Sequence, residues 1–138
     1  MAKFLRVYLA VLATMLALDA LWLGLIATEW YATAVGHLMA DTPSWPAAVA
    51  FYLLYPLGLA IFVLKPHENA SLLKATGMGA LFGLFAYATY DLTNLAMLAD
   101  WPVYISVVDI AWGCLLSGGS VAAGKWVLDR SQSRSLGA

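Results

Sequence analysis

The sequence predicts an all-α integral membrane protein: one transmembrane domain, a four-helix bundle with both termini in the cytoplasm. Three observations lead there. First, 63% of the 138 residues are hydrophobic and only 11% are charged. A soluble domain has about a quarter of its residues charged, so this chain has too little polar surface to face water. Second, four apolar runs, at about 4–27, 47–64, 75–98 and 103–127, each approach the ~20 residues a helix needs to cross a bilayer. Third, four crossings place the N-terminus, the second link and the C-terminus on one side. All seven basic residues (Lys3, Arg6, Lys65, Lys74, Lys125, Arg130 and Arg134) fall there, which marks that side as cytoplasmic.

The runs must be helices, because lipid cannot satisfy open backbone groups and the runs are too long and continuous for barrel strands. Run one starts with Lys3 and Arg6 and carries a small-residue Leu18–Ala20 stretch, features shared with cleaved leaders. Its apolar character continues through 21–26, and cleavage would leave three spans with the tails on opposite sides, so it is read as a span. Run two is the shortest. Pro56 inside it frees a backbone carbonyl near residue 52 and predicts a kink. The link at 28–46 holds Glu29, His37, Asp41, Pro43 and Pro46, and the link at 65–74 holds Pro66, His67 and Glu68. The link at 99–102 is so short that runs three and four must be antiparallel neighbours. The polar tail, 128–138, with Ser131, Ser133 and Ser135, is expected to fray. Trp30, Trp45 and Trp101 near the outer ends, and Trp126 near the inner one, fit interfacial anchors.

Three acids lie inside the spans: Asp19, Asp91 and Asp109. Runs one and three head outward and run four returns. At ~1.5 Å per residue, all three acids sit roughly 10 Å below the outer boundary. An Asp at a helix centre costs about 2.5–3.5 kcal/mol to insert, whereas a leucine returns only about 0.3–0.6. No Lys or Arg lies at that depth. Three neighbouring anions without a counter-charge cannot all ionise. They must be protonated, share protons, bind a cation or line a wet cavity.

On run three, Tyr87, Asp91 and Asn94 follow i, i+4, i+7 and share one face. Gly83, Gly79 and Ala75 continue that face inward, and Gly79-x-x-x-Gly83 fits small-residue helix packing. Asp91 is therefore expected to point into the bundle, and the Gly79/Gly83 face also offers a possible oligomer contact. Asp19-x-x-Trp22 and Asp109-x-x-Trp112 repeat one pattern on antiparallel helices, a match that chance explains at least as well as an inverted repeat. With each indole over the face of its acid, Trp22 and Trp112 are expected to form the ceiling and floor of a pocket. Tyr52 and Tyr55 supply hydroxyls from run two.

The candidate ligand-binding set is therefore Asp19, Trp22, Tyr52, Tyr87, Asp91, Asn94, Asp109 and Trp112. A structural hydrogen-bond network fastening four helices is the competing reading. Three acids at one level exceed what packing needs, and intramembrane ionisable groups are functional by default. One cysteine, Cys114, excludes an intrachain disulfide and a cysteine metal cluster. Glu29, His37 and Asp41 read as a solvated loop rather than a metal site. No basic, aromatic-interleaved patch points to nucleic acid. With no nucleophile–base pair, zinc motif, haem pair or phosphate loop, reaction type and cofactor stay open. Two helix acids without a supporting motif do not define an aspartyl protease. Besides membrane lipid, the expected partner is a lipid or a small apolar or cationic molecule held from the outer leaflet. A small proton- or cation-coupled transporter and a structural accessory subunit of a membrane complex are the alternatives.

The segments LDALWLG, EWY…GHLM, FYLLYPLGLAIF, GALFGLFAYATYDLTNLAMLADWP and VDIAWG together resemble a bacterial family of small predicted membrane proteins known only as a domain of unknown function. The resemblance spans about 4–124, with TYDLTN its most specific block. It implies a four-helix inner-membrane protein and no activity, cofactor or catalytic residue.

Overall fold

Each apolar run folds as helix in the computed structural model, which describes residues 1–136. Helix α1 (Ala2–Leu21) passes into a π-helical turn, Trp22–Ile26. Helix α2 (Thr28–Val35) and a 3₁₀ turn (Gly36–Leu38) follow. Helix α3 (Trp45–Gly58) also ends in a π-helical segment, Leu59–Leu64. Helices α4 (Leu72–Met97) and α5 (Val103–Leu136) complete the chain. Four of these stretches, Ala2–Ile26, Trp45–Leu64, Leu72–Met97 and Val103–Ser133, are long and apolar enough to cross a membrane. The described residues contain no strand.

Local chemistry sets the boundaries. Pro46 sits in the first turn of α3, where a missing N–H costs nothing. Ser71 caps α4, its hydroxyl accepting the Lys74 N–H at 3.2 Å. Pro56 stays inside α3 and leads directly into the π-helical segment, where the hydrogen-bond register changes.

Two expectations are corrected here. The tail expected to fray after residue 127 is helical as far as Leu136, where α5 ends, and 137–138 lie outside the described residues. Side chains one turn apart support it: Lys125 pairs with Asp129, and the Ser131 and Ser133 hydroxyls donate back to the Val127 and Asp129 carbonyls. Arg130 lies over the Trp126 ring, 3.7 Å from its centroid. The 28–46 link, read as loop, contains α2. Its Ala34 and Val35 are buried with Ile105, against Tyr31 and Trp101, so α2 folds back over one end of the helices.

Helix α5 is the central element, packing on α4 along its length and on α1. The α4–α5 approach depends on missing side chains. A Cβ on Gly83 would lie 2.1 Å from the Gly113 carbonyl oxygen, and one on Gly79 2.7 Å from Val121 Cγ2. A Cβ on Gly113 would lie 2.3 Å from the Tyr87 ring. The Gly79/Gly83 face is thus filled by α5 of the same chain. Within the protomer, the face expected to offer an oligomer contact packs against α5. Toward the Lys125 end an apolar core of Val7, Val11, Leu59, Leu64, Val121 and neighbours closes the packing. Lys3 and Glu68, 3.7 Å apart on the surface, bridge the N-terminus and the second link there.

Candidate functional site

The two D-x-x-W motifs meet, and they meet crosswise. Trp112 of α5 donates its Nε1–H to Asp19 Oδ1 of α1 at 3.1 Å. Trp22, just beyond α1, donates to the Tyr31 hydroxyl at 3.4 Å, and that hydroxyl donates to Asp109 Oδ1 of α5. Each indole therefore serves the acid of the other motif, one directly and one through a tyrosine. Between them the Trp22 and Trp112 rings stack at 4.5 Å and 6°. The expectation that these rings form ceiling and floor of a pocket is corrected: they lie on each other, and only Trp112 faces the cavity described below. The i, i+3 geometry puts each ring beside its acid, but both project toward the same contact between α1 and α5. Trp30 closes the far side of Trp22, edge-on at 6.0 Å.

Tyr31 comes from α2, the capping helix, and lies outside the membrane-length helices. Burial, and next the hydrogen bond to Asp109, push its phenol above the ordinary value, which keeps it a donor. From α3, the Tyr52 hydroxyl lies within electrostatic reach of Asp19 without completing a hydrogen bond. One turn further along, Tyr55 shares a 2.8 Å hydrogen bond with Ser117 of α5.

Asp19 and Asp109 line one cavity of about 190 Å³, walled by Tyr31, Phe51, Tyr52, Tyr87 and Trp112 with Leu23. A second, more apolar hollow of about 380 Å³ adjoins it and shares Phe51, Tyr87 and Asp109. Tyr55, Ala86 and Tyr90 complete its wall. Neither is lined by a lysine or arginine.

Asp91 departs from the expected trio. It is 0% exposed, faces neither hollow, and neither carboxylate oxygen has a donor in hydrogen-bonding geometry. The Ser106 hydroxyl is within electrostatic reach of it without completing a bond by that geometry. Ser106 itself accepts the Trp101 Nε1–H at 3.0 Å. Asn94, half-buried, also lies outside both hollows. The three acids are therefore unequal: Asp19 is 5% exposed, Asp91 is enclosed, and Asp109 is only half-buried. The reading of three buried aspartates around one pocket is corrected to two around the cavity and one apart. Equal depth along the helix axes does not fix rotation about them, and Asp91 turns toward Ser106.

Five of the eight expected residues, Asp19, Tyr52, Tyr87, Asp109 and Trp112, line the cavity, and Trp22 backs its wall. Tyr31, Phe51 and Ser106 were not among them. Phe51 flanks Tyr52 in the sequence, whereas Tyr31 lies in a segment read as a link. Among the described residues, Glu29, His37 and Asp41 do not gather into a metal-sized group.

Four membrane-length helices in an all-helical chain define the class, a multi-pass helical membrane protein. The chain belongs to the predicted membrane protein family DUF2177, whose profile matches residues 4–126. No curated protein and no solved structure matches it.

Proposed function

We propose that the protein binds a small amphiphilic cation, its charged head between Asp19 and Asp109 and its apolar body among Phe51, Tyr55, Tyr87 and Tyr90. The observation that carries this reading is the shared cavity: two carboxylates from antiparallel helices, no basic residue, and aromatic walls. Carboxylates supply the charge, and aromatic faces attract a cation further, by about 0.5–2 kcal/mol each according to desolvation. The adjoining apolar hollow has room for a hydrocarbon or aromatic group. On this reading the site lies in the outer half of the inner membrane of a bacterium, with both termini in the cytoplasm. The one-sided distribution of Lys and Arg supports that orientation.

Benzyltrimethylammonium, binding to protein in lipid nanodiscs, tests the reading. The cation is expected to bind at least about tenfold more tightly than its uncharged carbon analogue, about 1.4 kcal/mol. Asp109→Asn should remove most of that preference. Equal affinity for the two compounds, or an unchanged preference in the variant, would refute a carboxylate-lined cation site.

A further inference from the structure

Asp91 is the polar group that the cavity leaves unexplained. Both its oxygens are enclosed by protein and unpartnered. A buried carboxylate without donors is strongly disfavoured. Native structures rarely leave such a group without a compensating partner or role. The groups acting on it are Ser106 and Asp109 of α5, and Asp91 in turn acts on Tyr31 of α2. None is positively charged. Asp109 adds a like charge, so the two acids are electrostatically coupled. Neither hollow reaches Asp91, so a cation held between Asp19 and Asp109 does not touch it. A proton is the one positive species that needs no space. A protonated Asp91 also gains an O–H donor, and a hydroxyl oxygen such as that of Ser106 has acceptor capacity beyond the Trp101 bond it already makes.

We propose that Asp91 carries a proton in the resting protein and exchanges it for the cation bound between Asp19 and Asp109. This rests on the cation reading of the cavity and extends it to coupled exchange. The step is charge-neutral. The Asp91 O–H bond breaks, the proton passes to solvent, and the incoming cation replaces its positive charge beside Asp109. Ionised Asp91 is then stabilised by the bound cation through the coupling that previously opposed it. By linkage, acid weakens cation binding and the cation promotes proton release.

Protein in nanodiscs provides two separate readouts. In infrared difference spectra at neutral pH, wild type against Asp91→Asn should reveal the C=O stretch of a protonated carboxyl. Ser106→Ala keeps the acid and should displace that band. A carboxylate band in its place would overturn the proposal. In weak buffer with a pH dye, benzyltrimethylammonium should release about one proton per bound cation. Asp91→Asn should abolish the release and weaken binding by about tenfold or more, because the neutral side chain gives the cation no ionised Asp91 to stabilise. Undiminished release in that variant would overturn the exchange. Where Asp91→Asn does not fold, Ser106→Ala serves both readouts, since it should also move the pH at which the proton leaves; an unmoved release pH and an undisplaced band would overturn the proposal. Failure of the probe to bind at all refutes the cavity reading and the exchange with it, while the infrared band still decides whether Asp91 holds a proton.

Discussion

Gly83→Ala offers a direct test of how α4 and α5 hold the site. The added Cβ would sit 2.1 Å from the Gly113 carbonyl oxygen, 2.6 Å from Ser117 Oγ and 2.7 Å from the Gly113 carbonyl carbon. Two of these three atoms are backbone and cannot rotate away, so the helices must part locally by more than an ångström. Overpacking of a tight contact costs about 1–3 kcal/mol, and a backbone obstacle places this case near the upper end. Alanine returns up to about 1 kcal/mol of helix propensity over glycine. Gly77→Ala isolates that gain, because nothing lies within 4 Å of its Cβ. The assay is unfolding in mixed micelles with rising dodecyl sulfate, followed by circular dichroism. The propensity gain is common to both variants, so Gly83→Ala should fall below Gly77→Ala by about 2–3 kcal/mol. Equal stability of the two variants would refute the close α4–α5 contact as the reason for these glycines.

Other expectations follow from the crossed motifs and the topology. Tyr31→Phe deprives Asp109 of its donor and Trp22 of its acceptor; chemical unfolding should register a loss of about 1–3 kcal/mol. Because the folded-state phenol of Tyr31 lies above its ordinary value, its contribution is complete below about pH 10 and declines as alkali ionises the unfolded chain. Stability measured across that range should therefore fall less steeply in Tyr31→Phe than in wild type. Trp112→Phe removes both the stacked indole pair and the Asp19 donor, so near-ultraviolet circular dichroism should lose the coupled-tryptophan signal; an unchanged spectrum would contradict the stack. In a Cys114→Ala background, a membrane-impermeant thiol reagent on intact cells should label Ser44→Cys and spare Ser71→Cys. The reverse pattern would invert the proposed orientation.

Much of the scaffold was legible because lipid imposes a simple rule. Apolar runs long enough to span must be helical, and four helices long enough to cross are present. The packing role of Gly79 and Gly83 was legible from their spacing, though not their partner. A glycine face does not say whether its complement is another chain or α5. Depth counting placed Asp19 and Asp109 near each other, and they do share a cavity. The same count misjudged Asp91, since rise along an axis carries no information about rotation around it. Tyr31 was hidden for a different reason. α2 is only Thr28–Val35, too short to stand out by periodicity, and its return over Ile105 and Trp101 is a tertiary contact. Likewise, the i, i+3 spacing correctly associated each indole with a motif. Whether two such rings face across a space or stack depends on how α1 and α5 approach each other.

The cation site requires Asp19 and Asp109 to act on a single bound cation. A double-mutant cycle on benzyltrimethylammonium affinity, using Asp19→Asn, Asp109→Asn and the combined variant in nanodiscs, measures that directly. Residues acting on one ligand should couple, with a non-additivity of about 0.5–3 kcal/mol. Strictly additive losses, or no loss from either single change, would mean that the two acids do not form one site.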